Sequence, residues 1–118
     1  MLSRTHRFHG YGSLRRTYSN GQTVRGSLIS LRYAQRPAGK SYRVAVVVSR
    51  KVHKSAVVRN RIRRRVYETI RLSELIPQES DLIFTVFSDR VATMYSSELN
   101  DLVNELLNKA SLQLKKTA

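Results

Sequence analysis

The sequence predicts an α+β fold, one mixed sheet packed with helices in a single domain over residues 1–118. Two periodicities lead to it. Strand-length runs of β-branched and aromatic residues stand at 42–49 (YRVAVVVS) and 81–88 (DLIFTVFS). Helical spacing lies between and after them: Val58, Ile62, Val66 and Ile70 recur every four residues, and Leu99, Leu102, Val103, Leu106, Ala110 and Leu114 form a second stripe. A chain of 118 residues with 41% hydrophobic content supports one modest core.

The elements follow in order. Residues 1–12 are basic and punctuated by glycine, which predicts a flexible arm, with His6 and His9 exposed in it. Ser13 is placed to cap a short helix in which Leu14 and Tyr18 lie one turn apart, and Asn20-Gly21 stops it. Residues 27–33 (SLISLRY) alternate, with Ile29, Leu31 and Tyr33 on one side and Ser30 and Arg32 on the other. The turn residues at 35–39 allow a hairpin into the next strand. That strand, 42–49, is unbroken in β-branched character, the pattern of a strand covered on both faces. Ser55 suits the N-cap of a helix reaching about Leu72. Pro77 breaks the chain before the strand at 81–88. The last helix starts near Ser96 or Ser97, with Glu98 and Asp101 early, where the helix dipole favours anions. Lys109, Lys115 and Lys116 suit its other end, and residues 113–118 are expected to fray. The order is helix, strand, strand, helix, strand, helix, with no repeat or linker.

Charge supplies the functional clue. The formal net charge is +14 and it is polarised: residues 1–67 hold seventeen Lys/Arg and no Asp/Glu, whereas residues 68–118 hold five and eight. Segment 49–65 (SRKVHKSAVVRNRIRRR) contains eight basic residues and no acid, yet keeps its apolar rhythm. Solvated charge runs need no such rhythm. Around the stripe stand Arg59, Arg61, Arg63, Arg64, Arg65 and Arg71, whose planar, permanently charged guanidinium groups suit phosphate. The segment therefore predicts a core-anchored helix that grips a polyanion. A membrane surface fits poorly, because the stripe is narrow and β-branched and the longest aliphatic run is Val44–Val48. The absence of cysteine excludes disulfides, thiolate zinc sites and cysteine nucleophiles. The N-terminus has charge without an apolar secretion core, so a cytoplasmic protein is expected.

The string KVHKSAVVRNRIRRR closely resembles the signature of the bacterial ribonuclease P protein component. The matching pieces are Lys51, Ala56-Val57, Arg59-Asn60-Arg61, Ile62 and Arg63-Arg64. The strand entering the motif, the strand and amphipathic helix after it, and LRRTYSNGQTVRG at 14–26 extend the likeness from about Arg7 to Ala110. Three positions depart from the family pattern: Ser13-Leu14 replaces an Asp-Phe pair, His53-Lys54 replaces a glycine with one residue more before Arg59, and Tyr67 stands where a basic residue is common. Arg71 is the candidate substitute for that charge.

The resemblance implies a four-stranded α/β sandwich, with Gln22–Arg25 as the short extra strand and a left-handed strand-helix-strand crossover around the arginine helix. It also implies the role of protein subunit in a ribonucleoprotein that hydrolyses one phosphodiester to remove the 5′ leader of precursor tRNA. The partners would be ribonuclease P RNA and precursor tRNA, with no membrane and no obligate protein partner. Magnesium would be held mainly by the RNA, with no organic cofactor and no catalytic residue or metal ligand in the protein. On this reading Arg59, Asn60, Arg61, Arg63, Arg64, Lys51 and Arg50 bind RNA. Tyr18, Leu14, Ser30, Arg32 and Ser49 line the leader cleft. Val58, Ile62, Val66 and Ile70 belong to the core alone, and His53 lies in the loop before the arginine helix. The acids Glu74, Glu79, Asp81 and Asp89 lie outside the basic half and do not suggest a nuclease centre. The competing class is a non-catalytic structural RNA-binding protein or RNA chaperone of ribosomal type, which shares the salt dependence but not a response to a 5′ leader. A DNA-binding module ranks last, because arginines on nearly all faces offer no short base-reading edge.

Overall fold

In the computed structural model, which describes residues 6–8 and 11–117, the chain forms α1 (Tyr11–Asn20), β1 (Gln22–Val24), β2 (Ile29–Gln35), β3 (Arg43–Val48), α2 (Ala56–Arg71), β4 (Ser80–Val86), a 3-10 turn (Asp89–Ala92) and α3 (Ser96–Thr117). The four strands make one mixed sheet in the order β1-β2-β4-β3. β4 pairs antiparallel with β2 and parallel with β3, so α2 carries the crossover between two neighbouring parallel strands.

Register sorts the sheet into two faces, because residues directly opposite one another project to the same side. Ile29, Leu31 and Tyr33 of β2 align with Val86, Phe84 and Leu82 of β4, which align in turn with Val48, Val46 and Val44 of β3. All nine are buried. They form one core with Ile62, Val66 and Ile70 of α2 and Leu99, Val103, Leu106, Leu107 and Ala110 of α3. The other face presents Ser30, Arg32 and Ala34 from β2, Asp81, Ile83 and Thr85 from β4, and Arg43, Ala45 and Val47 from β3. α1 packs on part of this second face, with Thr17 buried against it and donating from Oγ1 to Asp81 Oδ2 at 3.4 Å.

Local chemistry accounts for the boundaries. Ser55 caps α2, its Oγ accepting from the Val58 N–H at 3.4 Å. Ser88 caps the 3-10 turn by accepting from Arg90 N at 3.2 Å. Gly21 closes α1 where a Cβ would lie 2.4 Å from Thr17 O and 2.6 Å from Tyr33 O, so only glycine fits between helix end and strand.

The structure corrects several expectations. No hairpin joins the strands around 35–39: β2 and β3 are separated by β4. The strand covered on both faces is β4, where every residue but Thr85 is buried. β3 is an edge strand whose Val47 is 37% exposed. Its valines reflect preference for extended backbone more than burial, and so they misled. Helix α1 begins at Tyr11, which puts Ser13 inside the helix instead of at its cap. Of the expected arm, residues 6–8 lie along β3. Arg7 bridges Val44 in parallel, the His6 ring stacks on Tyr42 at 3.9 Å with its Nδ1 3.0 Å from Tyr42 O, and Arg43 sits 4.8 Å over the Phe8 ring. His6 is therefore half-buried. Residues 1–5, 9 and 10 lie outside the described residues, as does Ala118. At the other end α3 stays helical to Thr117, past the expected start of fraying. Val58 is only partly buried, at the margin of the core.

Candidate RNA-binding site

α2 lies on the core side of the sheet and turns its remaining surface outward. Asn60, Arg61 and Arg64 are exposed there, and neither Arg61 nor Arg64 bonds to another described side chain. The other arginines are partly committed. Arg59 Nη1 donates to His53 O and Lys54 O, both at 2.9 Å, which fixes the loop ahead of the helix. Arg63 donates from Nη1 to Asn60 Oδ1 and from Nη2 to Val48 O at 3.4 Å, so Asn60 orients a neighbouring guanidinium. Val57, Asn60, Arg63, Arg64 and Tyr67 line one shallow groove along the helix.

Two arginines expected on this surface are used elsewhere. Arg65 turns inward, donating from Nη1 to Val91 O at 2.6 Å and from Nη2 to Met94 O. It ties α2 to the 3-10 turn and the approach to α3. Arg65→Ala is expected to lower stability by about 1.5–3 kcal/mol in urea denaturation, with less effect on RNA affinity than Arg64→Ala has. Arg71 pairs with Glu68 at 2.9 Å, and that guanidinium holds the Glu68 carboxyl well below its ordinary range. Arg71, the candidate substitute for the charge missing at Tyr67, is thus paired with an acid one turn away. The Tyr67 hydroxyl instead accepts from the Val46 N–H at 3.1 Å. With Arg63 on Val48 O, α2 side chains satisfy two polar groups on the outer edge of β3, which blunts an edge open to strand pairing.

Beside α1 lies the second face of the sheet, where the leader cleft is expected. Tyr18 is 46% exposed and Leu14 is half-buried on the same helix. Arg32 donates from Nη2 to Tyr18 O at 2.6 Å and from Nη1 to Thr23 Oγ1 at 2.8 Å. It therefore anchors the end of α1 to the sheet while its Nε remains buried without a partner among the described residues. Ser30 is half-buried on the floor. Ser49, Arg50 and Lys51 are exposed just past β3. The structure brings together Tyr18, Ser30 and Arg32 on one face, and Asn60, Arg61, Arg63 and Arg64 on the other side of the sheet. The loop 49–55 runs between the two at the β3 edge. His53 is turned inward within it, its Nδ1 accepting from Ser55 N at 3.0 Å.

Among the described residues no three His, Cys, Asp or Glu side chains converge to hold a metal ion. Asp81, the acid on the cleft face, accepts from Arg43 Nε at 2.8 Å and Arg43 Nη2 at 2.9 Å, with Arg36 at 3.6 Å. No helix among the described residues is long and apolar enough to cross a membrane. Sequence reasoning missed the structural roles of Tyr67 and Arg65, which have no signal in spacing. It also did not single out Phe87, which is 56% exposed just past β4.

The ribonuclease P family profile matches residues 2–111. A protein named ribonuclease P protein component from Synechococcus sp. (strain WH7803) is 37% identical over 101 residues, covering 85% of this chain and 76% of the relative. Another of that name from Caldanaerobacter subterraneus is 36% identical over 104 residues, covering 86% of each. The fold is similar to the RNase P protein of Thermotoga maritima (TM-score 0.76, 20% identity, 87% of this chain and 96% of that one) and to that of Staphylococcus aureus (TM-score 0.75, 20% identity, 89% and 94%). With a family match across nearly its whole length and relatives above a third identical, the chain belongs to the ribonuclease P protein family.

Proposed function

We propose that this chain, as the protein subunit of ribonuclease P, grips the catalytic RNA through the outward face of α2 and receives the 5′ leader of precursor tRNA in the cleft beside α1. One observation carries the reading: an arginine surface and an aromatic-bearing cleft lie on opposite sides of a single sheet, joined at the β3 edge by the basic loop 49–55. Arg61 and Arg64 are free to meet phosphates, whereas Arg59 and Arg63 also hold the loop and the end of β3 in place. Tyr18 offers a base-stacking ring, and its Arg32 anchor fixes where that ring stands.

The protein's part is binding and placement. Magnesium supplies the electrostatic chemistry of phosphodiester hydrolysis, and in this reading it is held mainly by the RNA. By adding favourable contacts to leader and RNA, the protein lowers the magnesium needed for a productive complex. The test mixes protein, cognate ribonuclease P RNA and a precursor tRNA at magnesium too low for efficient cleavage by RNA alone. Faster cleavage at the mature 5′ end, lost when either subunit is omitted, is expected. Binding without stimulation would leave a structural RNA-binding protein or chaperone, and cleavage by protein alone would overturn both.

A further inference from the structure

Phe87 is an aromatic residue that the core does not use. Its backbone N–H donates to Leu28 O at 2.8 Å, which carries the antiparallel ladder, and with it the alternation of side chains, one residue past Val86. On that alternation Phe87 shares the cleft face with Asp81, Ile83 and Thr85. The residue is 56% exposed and stands outside the core cluster. α1 covers the Asp81 end of this face, through Thr17, and leaves the Thr85 end open.

The surroundings of Phe87 are specific. Val48 and Val86 are the last aligned pair of the parallel strands β3 and β4. Ser49 and Phe87 come next on their two strands, and Arg50 and Lys51 follow at once. Val47, 37% exposed and aligned with Thr85, continues the apolar floor beneath them. An isolated exposed ring needs no explanation. A ring at the open end of a cleft, with apolar floor on one side and consecutive cations on the other, combines the two features that single-stranded nucleic acid requires. Bases stack on the ring, and the cations track the backbone.

We infer that Phe87 is a second stacking platform for a leader base, separate from Tyr18, and that it sets how far along the leader this protein senses. The inference rests on the cleft being the leader site. Tyr18 is held at the level of Arg32, which aligns with Ile83, four residues before Phe87. Four strand residues span about 13 Å, against about 3.4 Å between successive stacked bases. The two rings therefore engage different nucleotides. The chain has Leu14 where its family resemblance implies an aromatic, and Phe87 restores a second ring at a different place in the cleft.

The test uses the reconstituted holoenzyme, precursor tRNAs with leaders of graded length, and 2-aminopurine at single leader positions. Phe87→Ala is expected to weaken binding of long-leader precursor about 10-fold. Binding of mature tRNA and of the shortest leaders stays unchanged, as does the melting temperature. Fluorescence quenching should vanish at one leader position that Tyr18→Ala leaves quenched. Phe87→Trp should restore both readouts, and Phe87→Leu, apolar but without a ring face, should not restore the quenching. If Phe87→Ala keeps wild-type affinity and quenching across the series while Tyr18→Ala loses leader discrimination, the inference is overturned and the cleft assignment stands. If wild-type protein confers no preference for precursor over mature tRNA, the cleft assignment falls and takes the inference with it.

Discussion

Asp81→Ala is expected to destabilise the fold by about 3–5 kcal/mol, read as a lower urea midpoint at unchanged slope. The carboxylate is nearly buried and accepts two bonds from Arg43, at 2.8 and 2.9 Å, with Thr17 at 3.4 Å and Arg36 at 3.6 Å. Its loss leaves two guanidinium groups, each only 17% exposed, crowded without a counter-charge. The first 67 residues contain no acid of their own to replace it. Asp81→Asn keeps the shape and one strong acceptor, so it should cost less than alanine. An alanine variant of wild-type stability would mean that solvent screens the cluster.

The Arg61→Ala/Arg64→Ala double variant is expected to lose about 10²–10⁴-fold in affinity for ribonuclease P RNA, from two charge-assisted contacts of about 1.5–3 kcal/mol each. It should also lower the slope of log affinity against log salt by about 2, because two fewer counterions are released. Neither side chain serves the fold, so melting should be unchanged. Comparison with Arg65→Ala separates the effects: that variant should lose stability while keeping the salt slope. A double variant with a wild-type slope would remove these arginines from the RNA surface.

Sequence periodicity identified the helices well because amphipathic stripes report burial directly. Ile62, Val66 and Ile70 are fully buried as their spacing predicts. Strand positions were harder. The run at 42–49 and the run at 81–88 look equally apolar, yet one became an edge and the other the centre of the sheet. Strand order depends on crossovers, which no local pattern records. The same limit applies to the arginines. Arg61, Arg64 and Arg65 are indistinguishable by type, but helix phase places Arg65 against carbonyls exposed by the 3-10 turn. Tyr67 looked like a lost charge, whereas its hydroxyl caps the Val46 N–H. The family motif named a surface, and only the packing shows which of its members are free.

The central place of β4 also governs how the chain reaches its native state. β4 joins Ile29 to Val86 and Gln35 to Ser80, contacts of long sequence separation, and it pairs with β3 along that strand's whole length. Before residues 80–86 leave the ribosome, the sheet consists of a three-residue ladder between β1 and β2, too small to persist by itself. Folding is therefore expected to be cooperative and late, gated by loop closure over about fifty residues. Through that delay the nascent chain is strongly cationic, since its first 67 residues hold seventeen Lys/Arg and no acid. RNA present during synthesis can meet this segment before the tertiary structure exists. Pulse-labelled hydrogen exchange on refolding should show β2, β3 and β4 gaining protection in one phase.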